Sequence, residues 1–503
     1  MKGFKSFLTL SFALACAALS FSLAVRAQAQ TVTNLANFNR ETGDGPFGSV
    51  IQATNGRFYG VTVAGGFYRQ GNVFELTPGG ELRDVYSFCA KPLKGECADG
   101  ASAIWAPVLA SDGNLYGVTA TGGSNAGDYN GDDDPGSGTI YKLTLGGKLT
   151  TLYTFCPSTP CIDGQGPTGL IQGSDGNFYG TTTTGGRFKE GAIFKITSEG
   201  KYTELYSFCS QANCADGERP VFPPLQGIDG NFYGTVGTGG ASGAGVVYKL
   251  TASGTYTVLY NFCSYGDGPC PGGSVPTNIV QDASGNLFGT TQFGGSSETG
   301  DNAGYGVVFE ITPTNQYIVL QSFNITQGSA LGGLMIANDG NLYATTVGNQ
   351  FGANGGNIVE ISPRGVATLI YTFGECGSTG YNPVSTLFQG TDGTLYGMTA
   401  YGGDGTFDGG CGGYGTIYSV SNGLSPLVET SPVAGKAGES VIILGNGLTG
   451  TSSVAFNGVT AAFTVKSDTY IKATVPAGAT TGVVSVVTPS GTLKSNPQFV
   501  VTK

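Results

Sequence analysis

Residues 175–186 read Asp-Gly-Asn-Phe-Tyr-Gly-Thr-Thr-Thr-Thr-Gly-Gly, and variants of this phrase return along the whole chain. Its first three residues suit a tight hairpin, because Gly adopts positive φ freely and Asn and Asp tolerate it. The turn glycines Gly56, Gly113, Gly176, Gly230, Gly285, Gly340 and Gly393 recur every 53 to 63 residues. A period of that length marks a solenoid or a propeller. In the third unit, residues 169–173, 178–184, 192–197 and 201–208 read as four short strands. Two tight hairpins joined by a longer loop make a four-stranded antiparallel blade. Stretches such as 139–144 and 307–312 are apolar at nearly every position, as expected where both faces of a blade are covered.

The count of strands predicts how the ring closes. Fourth strands are expected at 31–38, 81–88, 148–155, 201–208, 255–262, 316–323 and 366–373, whereas the last unit stops after 416–420 without one. The stray first copy supplies the missing last one. The sequence therefore predicts an all-β chain with a seven-bladed β-propeller over 30–423, in which the strand 31–38 closes the final blade and removes an open edge.

Composition agrees. A chain of 503 residues exceeds one compact core. It holds 87 glycines, yet 40% of its residues are hydrophobic, which excludes disordered and collagen-like classes. Lys2 and Lys5, an apolar run over 7–25 and Ala27-Gln28-Ala29 have the pattern of a secretory signal peptide over 1–29. Lipid attachment at Cys16 is the weaker alternative, because residues 13–15 make a poor lipobox. Removing the leader takes away three positive charges and no negative ones, so the formal net charge falls from -11 to -14. Such a chain is not expected to bind nucleic acid, which requires clustered Lys and Arg. No other stretch has the roughly 20 apolar residues of a membrane helix, so no membrane insertion is expected.

The combination of D-G-N-[LF]-Y-G-T-T, a later G-G, G-x-[IV]-[FY]-x-[IL]-T and L-Y-x-F resembles the GloVer tandem repeat of secreted bacterial "choice-of-anchor" proteins. The resemblance covers about residues 30 to 423. It implies an exported repeat protein, at the bacterial surface, in the periplasm or released, usually tethered by a variable C-terminal anchor and with no settled activity. No recognisable anchor follows the repeats here. From Leu424 the text changes to short alternating strands spaced as in a small immunoglobulin-like β-sandwich over 424–503. Gly438, Gly445, Gly447, Val475-Pro476 and Phe499 make it similar to IPT/TIG domains, which implies a spacer or a ligand-presenting module.

Ten cysteines remain outside the leader. Four close pairs follow the fourth strands, Cys89 with Cys97, Cys156 with Cys161, Cys209 with Cys214 and Cys263 with Cys270, and the remaining Cys376 and Cys411 predict a fifth disulfide. Zinc is not expected, for want of His and of ligand spacing. The same loops carry Asp44, Asp99, Asp163, Asp216 and Asp267, each before Gly. These are candidate ligands on one face of the ring, against the plainer reading of turn chemistry. Asp128, Asn130, Asp132 and Asp134 place oxygen side chains at alternate positions of an acidic loop. That pattern makes calcium the one ion the sequence invites, although the distal Glu of a calcium loop is missing and a merely solvated loop is the alternative.

The absence of His excludes Ser-His-Asp triads and His bases. The Gly-Gly runs end strands rather than open helices, so no phosphate loop is present. The aromatic of each refrain, at one strand position per blade, is read as packing rather than as a sugar platform. The expected function is a non-enzymatic binding or adhesion protein that takes a glycan or an extracellular protein on its loop face. A polysaccharide lyase or glycoside hydrolase using carboxylates in the central funnel, and a purely structural surface-layer role, are the alternatives.

Overall fold

The computed structural model describes residues 30–93, 96–123, 136–263, 270–296, 304–329, 332–348, 355–374, 379–403 and 412–502. Seven four-stranded antiparallel sheets succeed one another along the chain, each in meander order. The third runs Gln165–Gln172, Phe178–Thr184, Ala192–Ile196 and Tyr202–Ser207. The seventh takes three strands from its own repeat, Phe388–Gln389, Leu395–Thr399 and Thr416–Ser421, and its fourth from Thr31–Asn37. Thr31 lies opposite Ser421 and Asn37 opposite Thr416, so the first strand of the chain is hydrogen-bonded to the last strand of the ring.

The refrain is a wedge with defined parts. Its Gly176 has φ 78°, the conformation the turn requires. Phe178 and Tyr179 are buried between blades, Phe178 stacking on Tyr116 of the second blade and Tyr179 packing against Phe232 of the fourth. Gly180 lies under the ring of Phe194 on the neighbouring strand, where a Cβ would stand 2.6 Å from the ring carbon. In the sixth blade the partner at that place is Val359 instead of an aromatic, and Ala344 replaces the glycine. Between third and fourth strands every blade carries a register shift, as at Ile193/Phe194. Such a bulge increases strand twist, which turns the outer strand relative to the inner one.

Glutamines link the blades near the axis. The last residue of the inner strand is Gln52, Gln172, Gln226, Gln281 or Gln389 in five blades. Each accepts the backbone N–H of a turn in the preceding blade: Thr391, Ser111, Ser174, Ile228 and Asn338 respectively, at 2.8 to 3.1 Å. The equivalent residues in the second and sixth blades are Leu109 and Ile336.

The C-terminal unit is a two-sheet sandwich. Glu429–Ser431, Ser440–Leu444, Tyr470–Thr474 and Phe463–Ser467 form one sheet, and Val459–Thr460, Ser453–Phe456, Val484–Thr488 and Gly491–Lys494 the other. Val441, Ile443, Val454, Phe456, Ile471 and Phe499 fill the space between them. The alternate residues Ile442 and Leu444 point away from that core and join the cluster of the first two blades, beside Ala53 and Leu109. Polar contacts fix the docking. Ser431 donates to the carbonyl of Leu109, and Asn496 Nδ2 donates to that of Ile336 at 3.1 Å. Thr469 Oγ1 reaches the Thr54 carbonyl at 2.9 Å, and Asn446 Nδ2 reaches Thr391 Oγ1 at 2.9 Å. The sandwich thus sits on the inner rim of the hairpin face, over blades one, two, six and seven. Its contacts include both positions where the glutamine is missing.

Candidate functional site

The opposite face is built from the long loops. Disulfides close four of them, Cys89–Cys97, Cys156–Cys161, Cys209–Cys214 and Cys263–Cys270. Cys376 and Cys411 lie outside the described residues, as do Asp267 and the acidic loop with Asp128, Asn130, Asp132 and Asp134. Among the described residues, the one cluster with metal-ligand potential is Cys209, Cys214 and Glu218, and both thiols are spent in the disulfide.

Asp99, Asp163 and Asp216 are buried within these loops. Asp99 accepts the hydroxyl of Tyr86 at 2.5 Å and the N–H groups of Ala90 and Lys91. Asp163 accepts Tyr153 at 2.7 Å and the N–H of Cys156. Asp216 accepts Tyr206 at 2.5 Å, the N–H and hydroxyl of Ser210, and the N–H of Gln211. Their oxygens are committed inside the loops, where a buried acceptor requires partners. Asp44 occupies a different place. The glycine whose Cβ would strike the second-strand Thr or Val is Gly100, Gly164 and Gly217 in those three loops but Gly43 in the first. Asp44 therefore follows its glycine, pairs through its backbone with Ala64, and has its carboxyl raised by burial. Tyrosines from successive blades stack beneath the loops, Tyr206 on Tyr256 at 4.1 Å and Tyr260 on Tyr317 at 3.7 Å. The loop face rests on a rigid base.

At its centre opens a cavity of about 510 Å³, walled by the inner segments of six blades. Phe47, Ile104, Trp105, Leu170, Phe222 and Val384 supply most of the wall, and the side-chain hydroxyls are those of Ser49 and Thr386. Trp105, the single tryptophan of the chain, meets Phe222 edge to face with ring centres 5.0 Å apart. These two rings belong to the second and fourth blades. They meet because the third blade has Gly169 between them, where a Cβ would come within 3.2 Å of Pro223 and 3.3 Å of Trp105. Among the described residues, none in the wall is titratable. Away from the cavity wall the loops present large apolar side chains to solvent, Phe67 at 81% exposure together with Tyr68, Ile162, Phe188 and Tyr401. The N–H groups of Phe67 and Phe188 bond Ser87 and Ser207 at the ends of outer strands.

The hairpin face holds the charged residues of the refrains. Asp229 accepts the hydroxyl of Tyr233 and the ammonium of Lys249, and Asp112 and Asp175 repeat the arrangement. Burial acts against ionisation there, but the hydrogen bonds from Lys249, Asn231 and Tyr233 hold Asp229 down to about 2. The tyrosine of each triad is buried, so the refrain aromatics pack the blades. Where the sandwich meets the ring, Glu429 shares a sheet face with Ser431, Ile442 and Leu444 and points toward the hairpins. Part of its surface stays accessible, yet protein from both units encloses the carboxyl and burial pushes it up to about 8.

The sequence pattern described as the Gloeobacter/Verrucomicrobia repeat matches residues 127–301 and 276–460, which together span more than half of the chain. The chain belongs to this repeat family. An IPT/TIG domain matches residues 422–501 of the repeat protein. No curated protein matches it. Among solved structures it is similar to the extracellular domain assigned to a hybrid two-component system of B. thetaiotaomicron, at 12% identity and TM-score 0.45, covering 94% of this chain and 54% of that one. It is also similar to an ulvan lyase, a polysaccharide lyase, at 10% identity and TM-score 0.42, covering 77% and 96%. A third is an aldose sugar dehydrogenase from Streptomyces coelicolor, at 12% identity and TM-score 0.39, covering 78% and 76%.

Sequence reasoning did not single out the wall of the cavity. Most of its residues lie three to five places before the last residue of an inner strand, and at the fourth place the blades carry Gly48, Trp105, Thr168, Phe222, Thr277, Gly332 and Ser385 in turn. Aromatics at two of seven otherwise small positions were the available signal.

Proposed function

We propose that this repeat protein is an exported, non-enzymatic binding protein that takes a glycan or an extracellular protein on its loop face. One observation carries the reading. The sandwich occupies the inner rim of the hairpin face, while the inner segments of six blades keep an apolar cavity walled by Trp105 and Phe222, and the loops expose Phe67, Phe188 and Tyr401. Concave apolar sites and exposed apolar rims are where ligands bind. The disulfides fit an oxidising compartment. The described wall residues include no acid or base, which suits binding rather than proton transfer. Asp44, Asp99, Asp163, Asp216 and Asp267 then enter as supports or neighbours of the binding loops, and calcium at Asp128, Asn130, Asp132 and Asp134 would order one of them.

A glycan array, a pull-down from envelope extract and a reducing-sugar assay on the retained material test the proposal. Retention without new reducing ends is the expected result. New reducing ends would mean an enzyme, and no retention in either format would mean a structural role.

A further inference from the structure

We infer that the cavity around Trp105 receives an uncharged, flat ring, and that a charged group is excluded from it. The inference deepens the loop-face reading and rests on it only for the side from which the ligand enters. The cavity, at about 510 Å³, lies in the range of small-ligand sites. Among the described residues its wall is aromatic and aliphatic, with Ser49 and Thr386 as the hydroxyl donors and no side chain of either charge. An ion entering would lose hydration with only the hydroxyls of Ser49 and Thr386 to offset it, whereas a neutral ring loses little and gains area. Trp105 and Phe222 meet edge to face in this wall, and Gly169 allows that contact by adding no side chain beside Trp105 and Pro223. The shared chemistry is a planar apolar face, which an aromatic ring or the C–H face of a neutral sugar can offer.

Because Trp105 is the only tryptophan, its emission reports this cavity alone. The full mature chain is titrated with N-phenyl-1-naphthylamine, a neutral aromatic probe, with anionic anilinonaphthalene sulfonate, and with a neutral cello-oligosaccharide. The neutral naphthylamine or the oligosaccharide should quench or shift Trp105 emission saturably at one site, the responding probe naming the source of the ring. The anion should bind about tenfold more weakly than the naphthylamine or not at all. Val384→Glu and Ile104→Glu, on different blades, should each weaken the responding probe by about tenfold at unchanged melting temperature. A variant that loses the fold is set aside for the other, and the three wild-type titrations stand without either. Equal binding of the anion, silence of both neutral probes, or full binding to a folded Glu variant would overturn the inference. A glycan found on the array while Trp105 stays silent would overturn this inference alone, and a neutral probe in the cavity with an empty array would overturn only the glycan arm of the broader proposal.

Discussion

Gln52 of the first blade accepts the backbone N–H of Thr391 in the seventh at 3.1 Å, across 339 residues of chain. With the strand pair of Thr31–Asn37 and Thr416–Ser421, this bond makes the ring continuous at the inner and outer edges of its closing blades. Gln52→Leu leaves a buried N–H without its acceptor and should cost about 1–2 kcal/mol, seen as a lowered midpoint in denaturant.

Deleting residues 30–40 opens the outer edge of the seventh blade and uncovers the cluster around buried Phe38. A single cooperative transition lowered by about 10 °C is expected in calorimetry, since several kcal/mol of buried area are lost. An unchanged midpoint would mean that the strand is not needed for closure.

The sandwich should detach when its apolar contact is broken. Leu444 is 3% exposed and packs on the first two blades, so Leu444→Ala should cost about 2–4 kcal/mol and speed proteolysis near residues 422–427. Ser431→Ala removes one exchangeable hydrogen bond and should shift the same proteolysis rate less.

Glu429 and Asp229 act on the pH dependence in opposite directions. Glu429 has its folded pKa raised from 4.5 to about 8, so the folded state holds a proton that the unfolded state has released, and stability falls as pH rises from about 4.5 through 8. Asp229 has its pKa lowered from 3.8 to about 2, so its contribution is complete above about 4 and is lost as pH falls toward 2. Melting temperature should therefore peak near pH 4 to 5. Glu429→Gln should flatten the upper limb and leave the lower one unchanged.

The periodic parts of the molecule were legible because each follows from local chemistry. Gly176 marks a turn, Gly180 marks close approach of a ring, and the spare first strand predicts its partner in the seventh blade. The glutamine ladder was written equally plainly, yet its meaning needs the ring, because Gln52 and Thr391 are neighbours only after closure. The loop acids show the opposite limit. Asp99 and Asp216 look like ligands in one dimension and turn inward in three, since the Tyr86 and Tyr206 hydroxyls that claim them lie 13 and 10 residues away. Trp105 stood out only by its rarity. What gives it a role is Phe222 from two blades on and the missing side chain of Gly169, a relation that no single repeat contains.

Binding in the cavity is tested most directly by Trp105 emission recorded while the ligand retained by the array or pull-down is titrated into the protein. It predicts a saturable change in emission, protection from acrylamide quenching and no new reducing ends. A bound ligand that leaves Trp105 unchanged would contradict binding in the cavity, and one that is cleaved would contradict the non-enzymatic role.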